Sequence, residues 1–168
     1  MKILTILIGT LVLNMFDASN CRADETVTEA MLRAESLGRL RLGLPEMDVL
    51  KLLGSPATRG ELVFQEADGN YVQAPDKGIE LLMSAGEKKS GVKTIANITA
   101  SAPCTFATRK GIKIGDAESA ARKAYAEHVD RETGADPGIL VVGSIYGGII
   151  FNFTEGKVSR IFFGGAAE

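Results

Sequence analysis

Tryptophan is absent from this 168-residue chain, histidine occurs once and cysteine twice. A lone histidine, His128, cannot build a histidine metal cage, and two cysteines cannot supply a four-cysteine zinc site or the dense bridges of a small disulfide scaffold. No HExxH, CxxC or EF-hand spacing occurs, and no glycine-rich turn ends in the lysine of a phosphate loop. No apolar run reaches the roughly 20 residues that span a bilayer. No five consecutive residues share a charge sign and the formal net charge is −2, so the basic footprint of a nucleic-acid binder is missing. These absences lead us to expect no cofactor, no metal ligand, no nucleic-acid partner and no catalytic set.

What is present is a stretch that occurs twice. Gly43-Leu44-Pro45-Glu46 opens the first copy, which runs to Gly54; Gly115-Asp116-Ala117-Glu118 opens the second, 72 positions later, which runs to Ala126. Each pairs a glycine turn with acids that suit the positive end of a helix. In the first copy Pro45 fits the first helical position, Met47, Val49, Leu50 and Leu53 form an apolar stripe, Gly54 suits a left-handed cap and Pro56 stops the helix. In the second, Asp116 is the expected N-cap, and Ala117, Ala120, Ala121, Ala124, Tyr125 and His128 make a small-sided stripe.

Ahead of the first copy, Lys2 and the apolar run from Ile3 to Leu13 or Phe16 have the form of an export signal. Ala23 is the first choice for cleavage, before Asp24; Ala18 and Ser19 are alternatives, and lipidation of Cys21 would be the one route to a membrane. Loss of residues 1–23 removes Lys2, Arg22 and Asp17 and leaves 17 basic and 20 acidic residues, a charge of −3. Some 145 residues remain, enough for one real core. Cys104 is then a lone cysteine, expected as a buried small hydrophobe; if Cys21 is retained, a pairing between the two stays open.

Between these landmarks the period changes from helix to strand. Thr26 to Leu37 is expected as a short helix, with Thr26 and Glu29 at capping-box spacing, and Arg39 to Leu42 as a half-buried strand. Glu61–Glu66, Tyr71–Ala74, Ile79–Met83 and Val92–Ala100 read as a meander, with Val92, Thr94, Ala96, Ile98 and Ala100 on one face. After the second helix come Ile139–Val142 and a hairpin, Gly147–Thr154 with Lys157–Phe163. Parity puts Ile149, Phe151, Phe153, Ile161 and Phe163 toward the core and Ile150, Asn152, Val158, Arg160 and Phe162 away from it. The expectation is an α+β fold of two tandem helix-plus-antiparallel-meander repeats, residues 24–102 and 103–168, in one compact unit.

Glycine, apolar helix and Leu53-Gly54-Ser55-Pro56, followed by a meander, resemble the small outer-membrane assembly lipoproteins of the SmpA/OmlA type. Two such units in tandem are similar to the β-lactamase inhibitory protein. Gly111-Ile112-Lys113-Ile114-Gly115-Asp116 with Tyr125, Phe151 and Phe153, and Gly156-Lys157-Val158 with Ile161 are similar to segments of uncharacterised periplasmic proteins with that fold. The likeness covers most of residues 39–163 and lies in turn glycines and core positions, so no functional residue carries over; the second copy departs at Ala126, where the closing glycine is missing.

The functional expectation is an exported, periplasmic, non-enzymatic protein that binds a protein partner in an inhibitor, immunity or envelope-accessory role. The alternative is a binder of a small ligand or cell-envelope component, held in an apolar pocket between two sheets. His128 is expected at the core edge, Ser144 lacks a nucleophile elbow, and Asp116 and Glu118 are more simply helix-start acids than an acid–base pair with Asp130 or Glu132. For the partner site, Tyr71 and Tyr146 lie by turns, and Asn152, Arg160 and Phe162 share the outer face of the hairpin. Arginine and aromatics are the types enriched at binding hot spots.

Overall fold

A computed structural model describes residues 30–55, 58–61, 70–74, 77–85, 91–130, 137–144 and 147–165. The expected export signal, the cleavage site, Cys21 and Tyr146 lie outside the described residues. The fold is α+β. Helix α1 (Glu46–Leu53) is followed by strands β1 (Thr58–Glu61), β2 (Asn70–Ala74), β3 (Ile79–Ser84) and β4 (Thr94–Ser101). Helix α2 (Glu118–Ala124), continued by a 3-10 turn (Ala126–His128), is followed by β5 (Ile139–Ser144), β6 (Gly147–Thr154) and β7 (Lys157–Gly164). All seven strands make one sheet in the order β1-β2-β3-β4-β7-β6-β5, and every pairing is antiparallel. Val49 and Leu53 of α1 and Ala121 of α2, with the adjoining Tyr125, join Leu81, Ile98, Phe151, Ile161 and Phe163 in one core cluster, so both helices cover the same sheet face.

The two helix starts are built by the same backbone bonds. Gly43 turns at φ 77° and Gly115 at φ 89°, a region glycine enters at no cost. Gly43 N donates to Ile95 O and Ile95 N to Leu44 O; Gly115 N donates to Val158 O and Val158 N to Asp116 O. Neither helix has a side-chain cap. Instead the Glu46 N–H donates to Lys93 O and the Glu118 N–H to Gly156 O, so the carbonyl just ahead of a strand satisfies a donor that the first helical turn leaves free. The residues just before the helices, Pro45 (φ −62°, ψ 146°) and Ala117 (φ −65°, ψ 139°), take the same extended conformation. Asp116 is therefore not the cap; its Oδ2 accepts the Lys113 N–H and tightens the turn ahead of the helix.

Each meander carries a bulge at the matching place. Leu82 pairs with Asn97 but Met83 with Ile95, which leaves Ala96 extra in β4; Asn152 pairs with Arg160 but Phe153 with Val158, which leaves Ser159 extra in β7. One extra residue inverts parity beyond it. That is why Ile95 lies in the core on the same side as Ile98, and why Val158, expected on the outer face, is 1% exposed and belongs to the core. Phe153, expected in the core, is only partly buried against it.

Other expectations are corrected by local geometry. Arg39–Leu42 is not a strand: Gly38, at φ 59°, folds the chain back so that Leu37 and Leu40 exchange backbone hydrogen bonds of 2.9 and 3.0 Å. Helix is described over residues 30–34 and has ended before Leu37. In α1 the inward pair is Val49 and Leu53; Met47, two positions before Val49 and so on the opposite side of a 3.6-residue turn, is 68% exposed. Gly54 has φ 82° but ψ −169°, outside the left-handed helical region. Ala121 and Tyr125 are the buried pair after Gly115, whereas Ala117 and Ala120 face solvent. Val92 lies outside β4 and is 73% exposed.

Candidate functional site

Among the described residues, α1 and α2 cover one face of the sheet and leave the other, and on that other face the register sorts side chains into rows. Leu140 and Val142 point to the core, so Ile139 and Val141 point away. Val141 pairs with Ile150, Ile150 with Phe162, and Phe162 with Thr99. This makes a mainly apolar row across β5, β6, β7 and β4. The neighbouring row runs Ile139, Asn152, Arg160 and Ser101. Ile139, Ile150, Asn152, Phe162 and Thr99 are half-buried, Arg160 and Ser101 exposed, and Val141 is buried.

Of the residues named from the sequence, the structure brings Asn152, Arg160 and Phe162 together in this patch. The Arg160 guanidinium lies 5.8 Å from the centre of the Phe162 ring, a cation–π contact that steadies its plane. The hydroxyl of Ser159, the bulge residue, donates to the backbone carbonyl of Asn152 at 3.1 Å, and the half-buried Asn152 side chain ends in an amide. Among the described residues, that amide and the Arg160 guanidinium have no hydrogen-bonding partner. Tyr71 sits on β2, its backbone paired with Gly60 and Leu82; its side chain, like all of Tyr146, lies outside the described part of the structure.

The same face is different over β3 and β4. There Glu80, Leu82, Asn97 and Thr99 occupy the places that Ile150, Asn152, Arg160 and Phe162 take over β6 and β7. The first group carries a carboxylate where the second carries isoleucine, and an amide where the second carries arginine.

A buried polar cluster was not visible in the sequence. Glu35 is 5% exposed and Thr108 4%. The Glu35 carboxylate accepts the Arg109 N–H at 2.7 Å, the Ser36 N–H at 3.1 Å and the Tyr125 hydroxyl at 3.0 Å. Thr108 Oγ1 accepts the Ile112 N–H. Lys110 donates to Ala124 O at 3.0 Å with its ammonium 4.9 Å from the Tyr125 ring centre. Burial, with Glu35 beside it, pushes the Tyr125 phenol above its ordinary value. Tyr125 has no exposed surface and the carboxylate is fully engaged, so this cluster ties the N-terminal segment to the second half rather than presenting reactive groups.

The remaining candidates resolve into structure. Glu118 pairs with Arg122 at 2.7 Å, and Arg122 also donates to Ile139 O, which pins α2 to β5. Cys104 is buried and free, and burial pushes its thiol up. Among the described residues no three histidine, cysteine or acidic side chains gather as metal ligands would, and no helix is long and apolar enough to cross a membrane. The described strands form one sheet, so the expected pocket between two sheets has no place in it. An open pocket of about 200 Å³, lined by Gly38, Arg39, Leu40, Leu52 and Phe106, lies elsewhere, below the usual size of a ligand site of roughly 300 Å³ or more. No protein-family model, no curated protein and no solved structure matches the chain.

Proposed function

We propose that this is an exported, non-enzymatic binding protein that holds a protein partner on the sheet face opposite α1 and α2, over β5, β6 and β7. One observation carries the proposal: half-buried apolar side chains, Ile139, Ile150 and Phe162, lie side by side with Arg160 and with an Asn152 amide that has no partner among the described residues. Mixed apolar and hydrogen-bonding surface centred on an arginine and an aromatic is the composition of an interface centre. The export and periplasmic part rests on Lys2 and the apolar run from Ile3. The finer fold, two tandem repeats like those of the β-lactamase inhibitory protein, is supported by the matching bonds at Gly43 and Gly115 and by the matching bulges. Affinity capture from a periplasmic extract tests the proposal. The wild type should retain a specific protein, and Arg160→Glu with Phe162→Ser should weaken that retention at least tenfold, about 1.4 kcal/mol, without unfolding. Capture of no specific protein, or capture that ignores the double change, overturns it.

A further inference from the structure

Arg160 sets the chemistry of whatever docks on this face. It is exposed, its guanidinium is held beside the Phe162 ring, and no carboxylate lies within salt-bridge distance of it among the described residues. A guanidinium steadied in this way presents paired N–H donors suited to two carboxylate oxygens. Lys157, exposed and paired with Thr154 at the turn end of the hairpin, adds a second positive charge to the same face of β7. Glu80 lies away from both: it pairs with Thr99 on β4, whereas Arg160 pairs with Ser101 on β4 and Asn152 on β6. The face is thus positive over β7 and negative over β3, and an acidic group is drawn to one side and repelled from the other.

The spacing of the rows adds a second requirement. The apolar row Val141–Ile150–Phe162 and the polar row Ile139–Asn152–Arg160 are two residues apart along each strand, about 7 Å. An extended chain lying along β6 and β7 has the same repeat between side chains on one of its faces.

We infer that the partner, on the reading proposed above, docks an extended segment in which a branched apolar residue and an aspartate or glutamate are separated by one residue. The apolar side chain covers Ile150 and Phe162, and the carboxylate accepts from Arg160 and from the Asn152 amide. No covalent step is involved.

The probes are two capped pentapeptides, acetyl-Ser-Leu-Thr-Glu-Ser-amide and the same sequence with glutamine for glutamate, titrated into isotope-labelled protein and followed by nuclear magnetic resonance. The glutamate peptide should shift the Arg160 side-chain N–H and the Asn152 amide saturably, at least tenfold more tightly than the glutamine peptide, with a preference that weakens as salt is raised. Arg160→Gln, whose side chain is exposed, should abolish the preference while leaving the melting temperature unchanged. Equal binding of both peptides, no saturable shift, or shifts centred away from β6 and β7 would each overturn the inference. Failure here is separable from failure of the functional reading. If neither peptide binds but partner capture still responds to the double change at Arg160 and Phe162, the face stands and the acidic chemistry falls. If the glutamate peptide binds at Arg160 and no protein is captured, the acidic preference stands and the partner proposal falls.

Discussion

The two halves of the molecule share a backbone design and fill it differently. At the helix starts, Gly43 and Gly115 make the same turns, and Lys93 and Gly156 cap with the same carbonyl bond. The core side chains differ: α1 buries Val49 and Leu53, whereas the second half buries Ala121 and Tyr125, with the Tyr125 and Phe151 rings 5.2 Å apart. On the opposite face the halves differ again, with Glu80 and Asn97 in one and Ile150 and Arg160 in the other. The backbone bonds at the two helix starts match, while the side chains of the core and of the outer face differ.

The strongest way to break this comparison is to empty matched core positions. Phe151→Ala should destabilise by about 3–5 kcal/mol and Leu81→Ala by about 2–5 kcal/mol, read by chemical denaturation. A loss at Phe151 below about 1 kcal/mol would mean that the hairpin faces have been assigned backwards.

The polar cluster joins the halves, Glu35 of the first to Arg109 and Tyr125 of the second, and should behave accordingly. Tyr125→Phe and Glu35→Ala should each cost about 1–3 kcal/mol, with the pair costing less than their sum because they share one hydrogen bond. Alkali offers an independent check. The folded protein holds the Tyr125 proton more tightly than the unfolded chain does, so this contribution is complete below the ordinary phenol value of 10.0 and is lost as pH rises beyond it. The melting temperature of the wild type should fall more steeply above that pH than that of Tyr125→Phe; parallel curves would show that the phenol is not linked to folding.

A smaller effect sharpens the comparison at the turns. An alanine Cβ at Gly43 or Gly115 would meet nothing within 4 Å, so each Gly→Ala change should cost only the left-handed conformation, about 1–2 kcal/mol. The two values should agree within about 0.5 kcal/mol. Gly78→Ala provides the contrast, since its Cβ would run into the Ser101 carbonyl and should cost more than either. The smallest effect belongs to the outer face, where Arg160→Glu with Phe162→Ser should move stability by no more than about 0.5 kcal/mol. A large loss of stability would mean that Phe162 supports the fold.

What could be seen in the sequence follows from where each signal resides. The paired glycine turns, the β6–β7 hairpin and the core positions Ile149, Phe151, Ile161 and Phe163 were legible, because turn chemistry and period-two alternation are local. The bulges were not: Ala96 and Ser159 look like ordinary strand residues, and only their cross-strand partners reveal them. Val158 and Ile95 were misplaced for that reason, whereas Asn152, Arg160 and Phe162 lie on the undisturbed side of the β7 bulge, where simple parity still applies. Glu35 was hidden because its partner Tyr125 is 90 positions away. The helix described over residues 30–34, ending before the expected Leu37, shows the same competition, with the turn at Gly38 and the β-bridge between Leu37 and Thr108 overriding helical spacing.

The pairing of β4 with β7 also sets a timetable. A chain that emerges N-terminus first exposes β1 to β4 well before Lys157–Gly164, yet β4 has an open edge until β7 arrives. Ile98, Thr99, Ala100 and Ser101 must wait with their ladder groups unmatched, the condition under which nascent strands pair with the wrong neighbour. Loss of Lys157–Gly164 would therefore do more than shorten the sheet: it would strand a half-finished product with an adhesive margin.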